Sequence, residues 1–225
     1  MSARTLTRSH SASIGVARME RLLLDRDEEP LAALVAEEIA RFGIRGPFLD
    51  VGAGTGIWVA MVERAGEFAC GVDVLPSVLL AGRARYGLGT LFLGEAACLP
   101  FRDATFRWIQ LREVIEHVDP SQGAALLAEL HRVLVPGGTL RLTTPNRLKY
   151  AAPSRRMSRA LAGLAGRPDD RAHVHEYWPW ELRSRMREAG FEIRSLQYRA
   201  PNRYIPLPVL GAGIDMLATS ASRNG

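Results

Sequence analysis

A short segment that combines two glutamates with a histidine carries side chains suited to catalysis or metal binding. This Glu–His segment reads Glu113-Val114-Ile115-Glu116-His117. If it is helical, positions i, i+3 and i+4 share one face, so Glu113, Glu116 and His117 would lie together. Two carboxylates and an imidazole could bind a divalent cation such as Mg²⁺ and leave positions open for a substrate oxygen. Without a metal, His117 could pack or act as a general base, and Glu113 could hydrogen-bond a cofactor or substrate.

A glycine-rich turn is the second segment whose residue types indicate ligand binding. The apolar run at residues 48–51 includes Asp50 and is followed by glycines at positions 52, 54 and 56. Such glycines let the backbone approach a ligand closely and leave the next helix N-terminus open to it. A turn that binds the pyrophosphate of a dinucleotide follows the pattern G-x-G-x-x-G, which would need a glycine where this chain has Ile57. The spacing therefore argues against a nicotinamide-dependent oxidoreductase.

The elements that would position these segments alternate between apolar strands and amphipathic helices. The pattern predicts a helical region up to Phe42, strands at residues 48–51, 68–72, 91–93, 106–111, 139–144 and 191–198, and helices at residues 57–64, 77–86, 124–134 and 181–189. This alternation is typical of an α/β fold in which helices cover both faces of a parallel sheet. The glycine turn and the Glu–His segment each follow a predicted strand, so we expect both at the carboxyl edge of the sheet.

Asp50 and the glycine turn together resemble the first motif of the class I S-adenosylmethionine-dependent methyltransferases. Asp73, at the end of the second predicted strand, corresponds to the acid that accepts both ribose hydroxyls of an adenosine. Residues 94–101, 106–109, 131–138 and 143–146 are similar to later motifs in the right order. The family usually has Asp where this chain has Arg107. The resemblance covers residues 48 to 198.

The resemblance implies a Rossmann-like, doubly wound and mostly parallel sheet that binds S-adenosylmethionine across the ends of its first two strands. The residues implied in cofactor binding are Asp50, Gly52, Ala53, Gly54, Thr55, Gly56, Asp73, Val74, Glu95, Ala96 and Leu111. The implied reaction is methyl transfer to a small-molecule acceptor, with a hydroxyl oxygen favoured and with His117 and Glu113 as catalytic residues. A non-catalytic S-adenosylmethionine-binding regulator would share the glycine turn but would not need the Glu–His segment.

The Glu–His segment also resembles parts of two metal-assisted O-methyltransferase groups. One is formed by the ubiquinone-biosynthesis methyltransferases that carry E-x-x-E-H. The other is formed by the small-RNA terminal 2′-O-methyltransferases, which add a histidine before an aromatic pair, as His173 precedes Tyr177-Trp178 here. On that match the metal ligands would be Glu113, Glu116, His117 and His173. Metal-assisted 2′-O-methylation of RNA is therefore an alternative to a small-molecule acceptor.

Length and composition limit the class of protein. The 225 residues are 47% hydrophobic and 24% charged, which is ordinary for a globular protein and excludes collagen-like or disordered chains. Cys70 and Cys98 are the two cysteines, a usage typical of reduced thiols in the cytoplasm. No segment is long and apolar enough to be a membrane span. We expect an N-terminal arm and helix over residues 1–42 and one methyltransferase domain over residues 43–225.

A basic stretch interrupts this domain at residues 146–171 and is predicted to form a lid. Seven basic residues and no acidic one lie between Arg141 and Pro168. Met157, Leu161 and Leu164 recur at helical spacing with arginines between them, as in a short basic amphipathic helix. Such a lid could recruit an acidic or membrane-borne substrate, or its arginines could only be solvated. Nucleic acid is the weakest candidate partner because no RNA-binding module accompanies the arginines.

The C-terminal tail leaves the last part of the predicted sheet open. The family ends with a seventh strand that lies antiparallel beside the sixth, whereas residues 211–225 are rich in glycine, serine and alanine. Either that strand is weakly encoded at residues 214–219 or the sheet is shortened. A shortened sheet would expose an edge, which would favour a homodimer or another partner.

Overall fold

The computed structural model describes residues 20–21, 23–25, 27–148, 174–200, 203–205 and 213–221, and an eight-stranded sheet forms their centre. The strands are β1 (Phe48–Val51), β2 (Ala69–Asp73), β3 (Leu91–Leu93), β4 (Phe106–Arg112), β5 (Leu134–Pro145), β6 (Phe191–Ala200), β7 (Arg203–Ile205) and β8 (Gly213–Ser220). Their spatial order is β3-β2-β1-β4-β5-β8-β6-β7. Neighbouring strands among β1 to β5 are parallel, which confirms the predicted Rossmann-like, mostly parallel sheet.

Helices cover both faces of this sheet. They are α1 (Glu29–Phe42), α2 (Ile57–Arg64), α3 (Pro76–Tyr86), α4 (Pro120–Val133) and α5 (Pro179–Glu188). On one face, Phe48 and Trp108 of the sheet pack with α1, α2 and α3. On the other, Leu49 and Ile109 pack with α4 and α5. We call these two surfaces of the sheet the α1–α3 face and the α4–α5 face. Because side chains alternate along a strand, Asp50 lies on the α1–α3 face, as Phe48 does.

Helix α4 begins earlier than the predicted start at residue 124, because its N-terminus is capped by side chains. Asp119 Oδ1 accepts a hydrogen bond from the backbone N–H of Ser121 at 3.0 Å. Gln122 Oε1 accepts one from the backbone N–H of Asp119 at 3.4 Å, which completes a capping box. Pro120 suits the first turn, where an N–H would have no partner within the helix. The helix therefore starts directly after the Glu–His segment and fixes where that segment ends.

Strand β8 decides the alternative that the sequence leaves open at the C-terminus. It pairs antiparallel with both β5 and β6, so the weakly encoded strand is confirmed and the shortened sheet is wrong. Alternating side chains of β8 stabilise this position on both faces of the sheet. Ile214 and Met216 are buried in the core on the α4–α5 face, whereas Asp215 contacts Arg141 on the opposite face. The homodimer stays a prediction, but the exposed edge of a shortened sheet no longer supports it.

Two predicted features fall largely or wholly outside the described residues. These are the N-terminal arm up to residue 19 and most of the basic lid, from residue 149 to residue 171. The predicted helical region, in contrast, ends at Phe42 as expected. In the part of the chain that the structure describes, no helix is long and apolar enough to pass through a bilayer.

Candidate active site

The glycine turn joins β1 to α2 at the carboxyl edge of the sheet. Gly52, Gly54 and Gly56 have φ angles of 76°, 55° and 79°, in the left-handed region that glycine adopts without strain. The backbone N–H groups of Gly52 and Ala53 donate to the carbonyl oxygen of Val72 at 2.8 and 3.0 Å. The predicted cofactor turn is therefore fixed against the end of β2.

Asp73, the last residue of β2, lies against this turn as the sequence predicts. Its Oδ2 accepts a hydrogen bond from the backbone N–H of Gly54 at 2.8 Å, and its Oδ1 accepts one from Leu75 at 2.9 Å. A carboxylate has about four acceptor positions, so Asp73 keeps capacity for two ribose hydroxyls.

The other predicted cofactor residues differ in what they can offer a ligand. Val74 follows β2 and is 57% exposed, so its apolar side chain is available to a purine ring. The N–H of Gly94 donates to the last carbonyl oxygen of β2 at 3.1 Å, which places Glu95 and Ala96 beside that strand end. Leu111 is fully buried in the core on the α4–α5 face, so only its backbone can face a cofactor.

Glu28, which the sequence did not single out, connects the start of α1 to the glycine turn. It accepts hydrogen bonds from the hydroxyls of Thr55 and Tyr86 and from Nη1 of Arg85 at 2.7 Å. Burial disfavours the charge of Glu28, but these three donors outweigh that effect and lower its pKa. The turn is therefore held between α1 and α3 by contacts between residues far apart in the chain, which no local pattern predicts.

The Glu–His segment is not a continuous helix, so the condition for one shared face is not met. Only Ile115–His117 forms a short 3₁₀-helix, and Glu113 has a φ of 53°. Thr143 Oγ1 donates to Glu113 Oε1 and Thr144 Oγ1 donates to Glu116 Oε2, both at 3.0 Å. Thr143 and Thr144 are successive residues of β5, so their side chains point to opposite faces of the sheet. The two glutamates that they bind therefore lie on opposite sides of the sheet.

The described residues do not fit a metal centre. They contain no group of three His, Cys, Asp or Glu side chains that could hold an ion. Glu116 is fully buried, whereas Glu113 is exposed. His173 lies outside the described residues, so the ligand set of Glu113, Glu116, His117 and His173 stays a prediction.

The Glu–His segment nevertheless lies directly against the glycine turn. A Cβ atom on Gly52 would come within 2.3 Å of Cγ2 of Val114, so the two segments touch with no room for a side chain at position 52. The exposed Glu113 and the half-buried His117 lie on either side of Val114 in sequence. The fold thus brings the segment that carries the two residues predicted to be catalytic to the turn predicted to bind the cofactor.

An acid and a base lie near each other beside this turn, and of the two only Asp50 was predicted. Asp50 is 3% exposed, and burial raises its pKa to about 7 against the opposing effect of Arg112. Gln110 is paired with Asp50 in the sheet register, and its side-chain amide also favours the charged form of Asp50. Neither amide atom of Gln110 meets the geometric criteria for a hydrogen bond. The Arg112 guanidinium lies 5.0 Å from the ring centroid of Trp58. A signal for Arg112 existed in the sequence, since Gln110 and Arg112 alternate with the apolar residues Ile109 and Leu111 at the end of β4.

Arg107, where the family pattern usually has Asp, leaves the core unaffected. Its side chain is exposed on β4, next to the buried Phe106 and Trp108. The departure from the family pattern is therefore confined to the surface.

Known proteins with similar sequences are methyltransferases. A family model described as a methyltransferase domain matches residues 49–142. A demethylmenaquinone methyltransferase from Streptomyces avermitilis is 30% identical over 156 residues, with 64% of this chain and 67% of that protein covered. A malonyl-[acyl-carrier protein] O-methyltransferase from Serratia marcescens is 31% identical over 172 residues, with 73% of this chain and 64% of that protein covered. The chain spans about half to two thirds of the length of such relatives.

A solved structure extends the likeness to the whole fold. The magnesium protoporphyrin IX methyltransferase from Synechocystis, solved with bound S-adenosylhomocysteine, has a TM-score of 0.67 at 15% identity. The comparison covers 97% of this chain and 100% of that one, and it shows the shared fold. The sequence relatives add the cofactor, because one from Mycolicibacterium smegmatis, 30% identical over 146 residues, is named as a probable S-adenosylmethionine-dependent methyltransferase. The chain belongs to the class I S-adenosylmethionine-dependent methyltransferases.

Proposed function

We propose that the chain transfers the methyl group of S-adenosylmethionine to a hydroxyl oxygen of a small molecule. The observation that carries this proposal is the contact between Val114 and Gly52, which holds the Glu–His segment against the cofactor turn. An acceptor that approaches the methyl group at this edge of the sheet meets the side chains of this segment. A hydroxyl acceptor needs one of them to take up its proton.

His117 is the residue that we assign as the proton acceptor. The sulfonium methyl group is already electrophilic, so catalysis consists of aligning the acceptor and removing one proton. The acceptor oxygen forms a bond to the methyl carbon, the sulfur keeps the electron pair of the broken bond, and the proton passes to the imidazole. An imidazole is suited to this step because it binds a proton near neutral pH.

Glu113 is assigned to orienting the cofactor or the acceptor. Its side chain is exposed, and Thr143 donates to Oε1 of its carboxylate, so Oε2 keeps the capacity to accept a hydrogen bond from a ligand. Its backbone has a φ of 53°, which is strained for a residue with a Cβ. Strain of this kind is concentrated at functional sites, where it fixes the direction of a side chain.

The relatives support a small-molecule acceptor over RNA. One is named as a methyltransferase of demethylmenaquinone, and another as an O-methyltransferase of malonyl-[acyl-carrier protein]. The second name supports oxygen as the receiving atom.

Titration calorimetry with S-adenosylmethionine, S-adenosylhomocysteine and NAD tests the cofactor site. We expect both sulfur compounds to bind and NAD to give no heat, because the glycine spacing does not fit a pyrophosphate. The titrations are repeated with Mg²⁺ and with a chelator, and binding that requires Mg²⁺ would favour the metal ligand set. A protein that binds neither sulfur compound would overturn the proposal.

Replacing His117 tests its role as proton acceptor. We expect His117→Asn to lower turnover about 10²- to 10⁴-fold, the usual contribution of general-base catalysis, and to leave the affinity for S-adenosylhomocysteine unchanged. Turnover is measured as release of S-adenosylhomocysteine with a panel of phenols, catechols and hydroxy acids. His175→Asn is the control, because His175 is also half-buried but its ring contacts Glu181. Equal losses of affinity and turnover in His117→Asn would show that His117 is structural.

A further inference from the structure

Several polar atoms on or next to the α1–α3 face of β4 are buried without a hydrogen-bond partner among the described residues. They are Nε of Arg112, both amide atoms of Gln110, the indole nitrogen of Trp108 on the same strand and that of Trp58 on α2. Folded proteins satisfy roughly 90% or more of such buried groups, so their concentration at one place indicates a site for a polar ligand. Of the four residues, only Arg112 is partly exposed, at the end of the strand.

The charge of Arg112 has no counter-ion of its own. The charged groups around it are the acids Asp50 and Glu38 and the bases Arg141 and Arg199. Glu38 is bound by Arg141, whose Nη1 and Nη2 donate to its two oxygens at 2.8 and 3.3 Å. Burial opposes the ionisation of Asp50. No described carboxylate forms an ion pair with Arg112 within 4.0 Å.

Arg199 adds a second guanidinium group at the same edge of the sheet, three strands away from Arg112. In the sheet register Arg112 is level with Thr143 of β5, and Thr143 is level with Asp215 of β8. Arg199 of β6 pairs with Gly213 of β8. Gly213 is on the same face as Asp215 and lies closer than Asp215 to the carboxyl edge of the parallel strands. Arg199 is half-buried and forms no ion pair with the described part of the chain. Two cations therefore face this edge without a dedicated acid.

The ring of Trp58 holds the Arg112 guanidinium in a defined orientation. Trp58 is the second residue of α2, directly after the glycine turn, and Arg112 directly precedes Glu113. A guanidinium stacked on an aromatic ring keeps its N–H donors at its edge, where two of them match the two oxygens of a carboxylate. Arg112 therefore contacts the first turn of α2 with its side chain and adjoins the Glu–His segment along the chain.

We propose that Arg112 binds a carboxylate at the methyl-transfer end of the active site, with Arg199 adding positive charge at the same edge of the sheet. The inference rests on the proposed function, because its two candidate carriers are the ligands of that site. One is the cofactor, whose amino-acid end has a carboxylate, and the other is an acceptor that is itself an acid. Both would be bound by the same pair of charge-assisted hydrogen bonds, which are strong where water is partly excluded.

The first experiment tests the cofactor as the carrier, with Arg112→Met compared with Arg107→Met. Arg107 is the matched control, because it lies on the same strand with an exposed side chain. Calorimetry measures the affinities for S-adenosylmethionine and for decarboxylated S-adenosylmethionine, which lacks only the carboxylate. If the cofactor is the carrier, Arg112→Met weakens binding of the intact compound about 10- to 100-fold, as expected for hydrogen bonds to a charged group. Binding of the decarboxylated compound and both affinities of Arg107→Met stay unchanged.

The second experiment tests the acceptor as the carrier. Sodium benzoate, with benzamide as the uncharged control, is added to protein saturated with S-adenosylhomocysteine. The readout is the Nε–H resonance of Arg112, assigned by its loss in Arg112→Met. If the acceptor is the carrier, benzoate shifts this resonance and benzamide does not. If benzoate causes no shift and Arg112→Met binds S-adenosylmethionine as tightly as the wild type does, the inference is overturned.

Two further measurements separate ligand binding from a structural role. We expect Arg112→Met to melt at or above the wild-type temperature, because it removes a buried cation that lacks a partner. Arg112→Lys should recover part of the lost binding, because it keeps the charge but not the paired donors. A lower melting temperature with equal losses for both cofactor compounds would make Arg112 structural and overturn the inference. A wild-type protein that binds neither compound would instead refute the cofactor site, and the inference with it.

Discussion

At the scale of single residues, Asp50 is a carboxylic acid whose surroundings oppose its charge. It lies on a strand buried on both faces, and the positive charge of Arg112 offsets only part of the effect of burial. Its folded-state pKa of about 7 is above the ordinary aspartate value of 3.8. Between these two pH values the folded protein binds a proton that the unfolded chain releases. The free energy of unfolding therefore falls as the pH rises from about 4 to about 7.

Asp50→Asn tests this pH dependence in the absence of cofactor. The variant has no proton to lose, so its stability relative to the wild type should rise between pH 4 and pH 7 and then stay constant. The upper limit of the gain is about 4 kcal/mol, at about 1.4 kcal/mol per pH unit across that window. Urea denaturation at pH 4.5 and pH 8 measures it, with the exposed Asp27→Asn as control. A difference between Asp50→Asn and wild type that is the same at both pH values would contradict the assignment to Asp50.

At the scale of elements, a buried arginine connects the first helix to the last strand. Arg141 of β5 is 0% exposed and donates to Asp215 of β8 at 2.9 and 3.2 Å and to Glu38 of α1 at 2.8 and 3.3 Å. The guanidinium also lies 4.2 Å from the ring centroid of Phe42 at the end of α1. One side chain thus fixes α1, β5 and β8 relative to one another, and α1 begins next to the acid that contacts the cofactor turn.

Removing the positive charge of this cluster should destabilise the fold. Arg141→Met leaves the carboxylates of Glu38 and Asp215 close together without their shared cation, and we expect it to lower the free energy of unfolding by about 3–5 kcal/mol. Urea denaturation at pH 7 measures the change. Glu37→Gln is the control, because Glu37 precedes Glu38 on the exposed side of α1 and should change stability by less than about 0.5 kcal/mol. A loss below about 1 kcal/mol in Arg141→Met would show that the cluster is nearly neutral for stability.

At the scale of the whole molecule, the cofactor site gathers segments from distant parts of the chain. Glu28 holds the glycine turn from the N-terminal side, Asp73 holds it from β2, and the Glu–His segment contacts it from β4. A ligand that binds these segments together binds only the folded protein. Its binding free energy is therefore added to the stability of the fold.

This coupling predicts a large thermal shift on cofactor binding. S-adenosylhomocysteine at 100 times its dissociation constant should add about 2.7 kcal/mol to the free energy of unfolding. For a chain of this size that corresponds to a rise in melting temperature of about 5–11 °C. Differential scanning fluorimetry measures the shift, and NAD at the same concentration is the control. A shift below about 2 °C would indicate that the cofactor does not require the assembled site.

Local sequence patterns were enough to predict the order of the elements and the turn to which the cofactor is predicted to bind. Strand and helix periodicity is local, so residues 48–51 and 57–64 were assigned with the bounds that the structure has. The glycines needed no tertiary information either, because a turn with positive φ at positions 52, 54 and 56 selects for them directly. The placement of Asp73 followed, since parallel strands end at the same edge of a sheet.

Only the tertiary structure decided which charged groups meet. Strand parity sends Thr143 and Thr144 to opposite faces, and this separates Glu113 from Glu116 although the sequence places them three positions apart. The contacts of Glu28 with the cofactor turn and of Arg141 with β8 join residues that are distant in the chain. Whether the N–H groups of Arg112 find an acceptor depends on which acidic side chains the neighbouring strands place near it. Strand register and helix packing determine these contacts, and local sequence patterns do not predict either of them.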